Sequence, residues 1–157
     1  MIADYESNDR DPLLDAPRQY GITQTHKHLK EMQAITGLKN SPIFCPIVSD
    51  FYSGMMVTVP IFASQLKNGK TVADIKQLFA NKYTSNIVKY SETFDDSGFI
   101  SAAKLKDSDA MTVTVAGNDD RILLIAVYNN LGKGASGAAI ECMNVVLEQE
   151  KTLALDI

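Results

Sequence analysis

A chain of 157 residues that is 45% hydrophobic can form one compact domain with a core large enough to be stable alone. The mild net charge of −4, without a basic patch, argues against a nucleic-acid partner. No apolar run approaches the roughly 20 residues that a membrane helix needs. The acidic, polar start is unlike a secretory signal peptide, so we expect a cytoplasmic protein.

The two cysteines of the chain, Cys45 and Cys142, stand far apart and lack the spacing of a metal site. We therefore expect reduced thiols and no metal.

The first elements in chain order are a lead-in and a helix. Residues 1–20 are rich in Asp, Pro and polar side chains, and this composition predicts an extended segment with little core of its own. Apolar residues at helical spacing then predict a helix over about 25–36, capped by Thr23 or Thr25 and stopped at Gly37.

A long, nearly uncharged run follows, and residues 55–62 within it predict a strand covered on both faces. Thr71 opens a helix pattern over 71–83, and with Asp74 it resembles a capping box. Two shorter stretches, 87–92 and 99–105, are strand candidates.

The strongest hairpin signal is MTVTVAG, a GNDD turn and RILLIAVYNN. A last helix is predicted from Gly134 to about Gln149. The order of elements predicts an α+β domain with a mixed, largely antiparallel sheet and helices on one face. One side of the last helix is apolar: Ala135, Ala139, Cys142, Met143, Val146 and Leu147.

Both histidines of the chain lie in one short stretch, THKHLKEM, at His26 and His28. Residues at i and i+2 do not face each other along a helix. At a helix start, however, both side chains can point towards the same side of the helix end. Imidazole exchanges a proton near neutral pH, which favours acid/base chemistry. A solvated helix start that merely carries two imidazoles is the alternative.

THKHLKEM, IFCPIVSDFYSGMMVTVP and NLGKGASGAAIECMN together resemble the N-acetyl-γ-glutamyl-phosphate reductase family, which is related to aspartate-semialdehyde dehydrogenase. The family pattern is His-Arg-His-x-Pro-Glu-Ile, a Phe-x-Pro segment, Arg-Gly before a hydrophobic strand, and Lys-Gly-Ala-x-Gly-Gln-Ala. The resemblance spans about residues 20–150. It implies the C-terminal domain of a semialdehyde dehydrogenase-like enzyme.

This chain departs from the family pattern at several positions. Lys27 and Lys30 stand in place of Arg and Pro, Ser53 in place of the Arg before Gly, and Ala138 in place of Gln. The family's Gly-rich dinucleotide loop and its nucleophilic Cys motif have no counterpart here. Neither cysteine matches that motif, so we interpret both as structural.

The resemblance implies a reaction in two parts. A cysteine thiolate attacks an acyl phosphate and phosphate leaves, and a hydride from NADPH then reduces the thioester to a semialdehyde. A histidine suits the proton transfers, so the resemblance assigns acid/base work to His26 and His28 without separating their roles. NADP would be bound mainly by the N-terminal Rossmann domain, and the isolated chain is expected to be inactive.

The resemblance also suggests supporting roles. Lys27, Arg18 and Lys133 would hold substrate anions, although a solvated helix start is an equal alternative for Lys133. Tyr20 would line the pocket, with a packed surface aromatic as the alternative. Gly134 and Gly137 would permit close backbone approach on the interdomain or cofactor side.

The implied organisation has three parts: a lead-in (1–20), a substrate and dimerisation domain (21–133), and a C-terminal helix and tail (134–157). The tail would pack on the Rossmann domain, and the sheet would form a homodimer or a higher homo-oligomer. The alternative function is a self-standing binding or assembly domain without catalysis, whose apolar strand serves an interface.

Overall fold

The computed structural model describes residues 2–157, and the chain divides into two compact units, one reaching to Tyr52 and the other spanning Ser53–Ile157. The first unit pairs two short antiparallel strands, β1 and β2. Its small core includes the buried Leu14 and Leu29. Its elements are α1 (Ile2–Glu6), a 3-10 turn (Pro12–Asp15), β1 (Arg18–Gln19), α2 (His28–Thr36) and β2 (Ile47–Val48).

The lead-in is not extended as predicted, because local caps and an ion pair fold it. The side chain of Asp11 accepts a hydrogen bond from the backbone N–H of Leu13 at 2.9 Å, which starts the 3-10 turn at Pro12. Arg10 pairs with Asp15 and, at 2.8 Å, with Asp50. The guanidinium therefore ties the lead-in to the segment that follows β2.

Helix α2 begins at His28, three residues later than predicted. Neither Thr23 nor Thr25 caps it, since their hydroxyls hydrogen-bond to each other at 2.9 Å. The predicted stop at Gly37 is confirmed. That residue has a φ of 68° and donates its N–H to the carbonyl of Gln33, which closes the last turn.

The second unit contains a four-stranded sheet in the order β3-β6-β5-β4. Strand β4 runs parallel to β5, and the other pairings are antiparallel, which confirms the predicted α+β class with a mixed sheet. The elements are β3 (Met55–Phe62), α3 (Val72–Lys82), β4 (Val88–Tyr90), β5 (Met111–Gly117), β6 (Arg121–Tyr128), a π-helical turn (Gly132–Ser136) and α4 (Gly137–Val146).

The predicted hairpin and capping box are both confirmed. The Asn118 side chain accepts hydrogen bonds from the backbone N–H groups of Asp120 and Arg121, both at 2.9 Å, and so closes the β5-β6 turn. Thr71 caps α3 by accepting from the N–H of Asp74, and the Asp74 carboxylate accepts from the N–H of Thr71.

Residues 99–105 do not form the predicted strand. A turn with positive φ at Ser97 and Gly98 precedes them, and successive i to i+3 hydrogen bonds occupy their backbone groups. Ile100 and Leu105 still pack against the core cluster of Phe94, Ile125 and Val127. The apolar alternation of this stretch therefore serves packing from turns rather than from a strand.

Strand β3 lies at one edge of the sheet and pairs only with β6. Seven of its eight residues are exposed, with Ile61 half-buried. The expected cover of one face by the chain's own helices is therefore not observed, and cover of the other face by a partner chain stays a prediction. A run without charged residues is also expected for a strand that another molecule covers.

Helix α4 is shorter than predicted and presents its apolar side to solvent. It ends at Val146, and Leu147 forms its C-terminal cap. Packing of this side on the chain's own sheet is not observed. All six residues of the predicted apolar side are exposed: Ala135, Ala139, Cys142, Met143, Val146 and Leu147.

Candidate active site

The two histidines form one compact group at the start of α2. Their ring centroids lie 4.7 Å apart at an interplanar angle of 66°. The backbone N–H of His28 donates to Nδ1 of His26 at 3.3 Å, so the His26 ring occupies the place of a helix cap. Because Nδ1 accepts this bond, Nε2 carries the proton of the neutral ring.

Two aromatic rings complete the group. The Phe44 ring lies 5.1 Å from the His26 ring and 6.4 Å from the His28 ring, measured between centroids. Tyr20 approaches His26 at 6.1 Å in an edge geometry. Tyr20 therefore adjoins His26, and its role in lining a substrate pocket stays a prediction.

The loops that carry these rings are bound together by hydrogen bonds. The Tyr20 N–H donates to the carbonyl of Pro46 at 3.0 Å, beside the β1-β2 pairing. The Gln24 side chain bonds to both backbone groups of Phe44. A Cβ at Gly21 would lie 3.3 Å from Cγ of Pro46, so the small residue permits this close approach.

Charged side chains surround the pair unevenly. Lys27 is exposed between the two histidines and is the N-cap residue of α2, although its side chain makes no capping bond. Nε2 of His28 lies 3.8 Å from a carboxylate oxygen of Glu31, one helical turn further on. The structure therefore places one carboxylate, that of Glu31, near the imidazole of His28.

Arg18 belongs to the same unit but already has a partner. Its Nη2 donates to the hydroxyl of Tyr5 at 3.1 Å, and its guanidinium carbon lies 5.4 Å from the centroid of that ring. Binding of a substrate anion by Arg18 would compete with this contact.

Lys133 lies in the second unit and is also paired. Its ammonium lies 2.6 Å from a carboxylate oxygen of Glu141, and the two side chains are only 15% and 26% exposed. The lysine is therefore not the solvated helix start that was its alternative interpretation. Its role towards a substrate anion stays a prediction.

Gly134 and Gly137 permit close approach, and both contacts are to groups of the same unit. A Cβ at Gly134 would lie 3.2 Å from the Tyr128 ring. A Cβ at Gly137 would lie 2.3 Å from Oδ1 of Asp109, and one at Gly132 would lie 2.5 Å from the same atom. The predicted role towards a cofactor or another domain stays a prediction.

The glycine-rich start of α4 does not fit a dinucleotide phosphate. A phosphate site at a helix start needs free backbone N–H groups facing an open cradle. Here the carboxylate of Asp109 lies against Gly132 and Gly137, where a second anion would be repelled. The Asp109 carboxylate therefore argues against a phosphate bound directly at Gly132 and Gly137.

Ser53 replaces an arginine of the family pattern, and its surroundings fit the smaller residue. It is buried, and its hydroxyl donates to the carbonyl of Lys106 at 3.3 Å.

Both cysteines are free thiols and exposed. Among residues 2–157, no group of three or more His, Cys, Asp or Glu side chains could hold a metal ion.

Sequence analysis missed two members of the histidine group, Phe44 and Gln24. Phe44 was detectable, because its Phe-Cys-Pro segment matches the Phe-x-Pro part of the family pattern. Gln24 gave no signal in the sequence, since its contact with Phe44 depends on a φ of 56° and on a partner twenty residues away.

Within the described residues, no helix has the length and apolar character needed to cross a bilayer.

Comparison with known proteins agrees with the resemblance found in the sequence. The N-acetyl-gamma-glutamyl-phosphate reductase of Rhizobium meliloti (strain 1021) is 36% identical over 153 residues, which cover 94% of this chain and 49% of the relative. The reductase 2 of a Nostoc species is 36% identical over 144 residues, covering 87% and 45%. The Brucella abortus (strain S19) reductase is 34% identical over 153 residues, covering 94% and 49%.

The chain thus spans about half the length of the curated relatives it matches. The family model described as "Semialdehyde dehydrogenase, dimerisation domain" matches residues 5–130, which include the histidine pair, strand β3 and the β5-β6 hairpin. The chain belongs to the semialdehyde dehydrogenase dimerisation-domain family.

Proposed function

We propose that this chain is the C-terminal catalytic and dimerisation part of an NADPH-dependent N-acetyl-γ-glutamyl-phosphate reductase of arginine biosynthesis. The whole enzyme would reduce N-acetylglutamyl phosphate to the semialdehyde and release phosphate. The observation that carries the proposal is the imidazole pair, 4.7 Å apart, at the family's His-x-His position. The names of the relatives support the substrate, and the chain's own residues support the proton chemistry.

In this proposal the pair moves protons at the substrate oxygen. His26 presents Nε2–H as a donor, since its Nδ1 is engaged by the N–H of His28. His28 is 46% exposed and can exchange protons with water or with its neighbour. A positioned group of this kind contributes about 10²–10⁴-fold to a rate.

The anionic groups of the substrate need cations near this pair. Lys27 is the first candidate, because it is exposed and lies in sequence between the two histidines. Arg18 would have to leave Tyr5, and Lys133 would have to leave Glu141. Tyr20 would form the wall beside His26. The hydride donor, NADPH, is proposed to bind to the half of the relatives that this chain does not cover.

A chimaera tests the proposal. The part of the Rhizobium meliloti reductase that the match leaves uncovered would be joined to this chain. Oxidation of NADPH would then be followed with N-acetylglutamyl phosphate as substrate. The chain alone is expected to be inactive, and the chimaera is expected to be active. A folded chimaera without turnover, or clear turnover by the chain alone, would refute the proposal.

The second candidate is a binding or assembly domain without chemistry. The exposed apolar surfaces of β3 and α4 favour it, since isolated soluble proteins rarely leave large apolar patches wet. A folded but inactive chimaera that still forms dimers would support this candidate. The proposed reductase requires both dimer formation and turnover.

A further inference from the structure

We propose that Gln24 is the positioning residue of the imidazole pair: its amide fastens the backbone of Phe44, whose ring contacts both His26 and His28. The inference deepens the proposed function, because it names what holds the acid/base pair in place. Gln24 touches neither substrate nor reacting atoms in this proposal, and it acts through Phe44.

The first step is the geometry of the amide. The Phe44 N–H donates to Oε1 of Gln24 at 2.9 Å, and Nε2 of Gln24 donates to the Phe44 carbonyl at 2.7 Å. One side chain therefore satisfies both backbone groups of Phe44, as a neighbouring strand would. Nε2 also lies 3.3 Å from the carbonyl of Gly21, which places both loops on one amide.

The second step is the backbone of Gln24. Its φ is 56°, and its N–H closes a turn by donating to the carbonyl of Gly21 at 3.0 Å. The left-handed region favours glycine and, less strongly, asparagine. A turn alone would be better served by those residues. The reach of a glutamine side chain to Phe44 explains why a less suitable residue occupies this position.

The third step is the effect on the imidazoles. The Phe44 ring lies 5.1 Å from His26 and 6.4 Å from His28, so a single ring limits the movement of both. His26 must stay in place for its Nδ1 to accept the His28 N–H. Release of Phe44 would free the His26 ring and disturb the tautomer that this hydrogen bond selects.

A second glutamine provides a matched control. Nε2 of Gln33 donates to the carbonyl of Lys39 at 3.1 Å, and its Oε1 accepts from the hydroxyl of Ser41 at 2.9 Å. Gln33 thus binds the same connecting segment with the same kind of side chain. Unlike Phe44, its partners Lys39 and Ser41 carry no ring that contacts the histidines. A general loss of loop order would affect both glutamine variants alike.

The experiment is NMR of the 157-residue chain, whose two histidines give two imidazole spin systems. Gln24→Gly removes the clamp and relieves the positive φ, Gln24→Met removes the clamp at nearly constant volume, and Gln33→Met is the control. In the wild type we expect nuclear Overhauser effects between the Phe44 and His26 rings and an unprotonated Nδ1 on neutral His26.

Both Gln24 variants are expected to lose the Phe44–His26 effects and to exchange the Phe44 amide about tenfold faster. The control is expected to retain both wild-type properties. The proposal is overturned if the Gln24 variants keep the ring contacts, or if Gln33→Met loses them equally. If the Gln24 variants fail to fold, the wild-type spectrum decides. Protonated Nδ1 on neutral His26, or an unprotected Phe44 amide, would then overturn it.

These measurements need no substrate, no cofactor and no additional domain from a relative. Loss of the ring contacts together with an inactive chimaera would leave the positioning role standing and refute the proposed reaction. Unchanged ring contacts together with an active chimaera that depends on its histidines would do the reverse.

Discussion

Gly137 lies so close to Asp109 that a Cβ on the glycine would fall 2.3 Å from Oδ1 and 3.0 Å from Cβ of the aspartate. The same aspartate is bonded to the C-terminal tail: its N–H donates to the carbonyl of Asp156 at 2.6 Å, and its Oδ2 accepts from the N–H of Asp156 at 3.2 Å. One residue therefore fixes both the start of α4 and the tail that follows it.

This contact predicts an unusual sign for a glycine substitution. Gly137 has helical angles, so Gly137→Ala would normally stabilise the chain by about 1 kcal/mol. The collision with Asp109 reverses this, and we expect a loss of about 1–3 kcal/mol in urea unfolding. Gly134→Ala, which meets a Tyr128 ring carbon at 3.2 Å, is expected to lose less. A stabilising Gly137→Ala would show that Asp109 does not occupy this position.

The cap of α3 predicts a pH dependence of stability. The backbone N–H of Thr71, followed by the Lys70 ammonium and the Thr71 hydroxyl, lowers the pKa of Asp74 from its usual 3.8 to about 2. A lowered pKa in the folded state means that the carboxylate contributes stability above pH 3.8, which is lost as the pH falls through about 2. Asp74→Asn is therefore expected to lose less stability than the wild type between pH 4 and pH 2.

Urea unfolding at several pH values measures this difference. The wild type and Asp74→Asn are expected to differ most near neutral pH and to converge at pH 2. A gap that stays constant across that range would mean that the Asp74 carboxylate does not cap α3 as an anion.

The Lys133–Glu141 pair predicts a coupling between the first residue of the family's last motif and a residue of α4 just beyond that motif. Both side chains are mostly buried, so removal of one partner leaves a poorly solvated charge. Lys133→Met is expected to cost about 1–3 kcal/mol, and Glu141→Gln added to it is expected to recover part of that loss. A double-mutant cycle measures the coupling. Additive effects would mean that the lysine is free for a substrate anion.

Local signals explain most of the fold that could be predicted. The Thr71–Asp74 box, the stop at Gly37 and the β5-β6 turn each depend on residues within four positions of one another, and all three are confirmed. The start of α2 was misplaced because Thr23 and Thr25 bond to each other. The spacing of residues in the sequence does not show whether a threonine hydroxyl will bond to the helix start or to the other threonine.

The candidate site shows where local signals end. The motif located His26 and His28, but the ring that joins them, Phe44, lies on another loop. The lead-in was misjudged for a similar reason, since its folding depends on Arg10 reaching Asp50 across forty residues of sequence. Contacts of this range follow from tertiary structure, and periodicity does not report them.

The histidines are expected to differ when each is replaced in an active chimaera. His26→Ala and His28→Ala are both expected to lower kcat by roughly 10²–10⁴-fold. Only His26→Ala is expected also to lower the free energy of unfolding, by about 0.5–2 kcal/mol, because Nδ1 of His26 accepts the N–H of His28.

His26→Asn separates the two effects, since asparagine can accept the same N–H but cannot exchange protons near neutral pH. It is expected to restore stability without restoring kcat. Steady-state kinetics and urea unfolding of the three variants measure this. Near-normal kcat in both alanine variants would refute the acid/base assignment. The alternative, a solvated helix start that carries two imidazoles, would then stand.

The last prediction concerns the surface through which the chain associates. Strand β3 has one unpaired edge, and its apolar side chains are exposed, Val59 by 48%. An open edge with wet apolar side chains invites pairing with another chain. We expect a homodimer through this sheet, with twice the monomer mass in sedimentation at micromolar concentration. Val59→Lys is expected to shift it to monomer, because a lysine would be buried without a partner.

Two matched variants identify the surface. Leu78→Lys places the same charge on an exposed apolar position of α3 and is expected to leave the dimer intact. Val146→Lys places it on the apolar side of α4, where the valine is 80% exposed. This surface is proposed to pack on the Rossmann domain and not on a second copy. If Val146→Lys dissociates the dimer and Val59→Lys does not, α4 forms the interface and the assignment to β3 is wrong. A wild-type monomer at micromolar concentration would count against association through either surface.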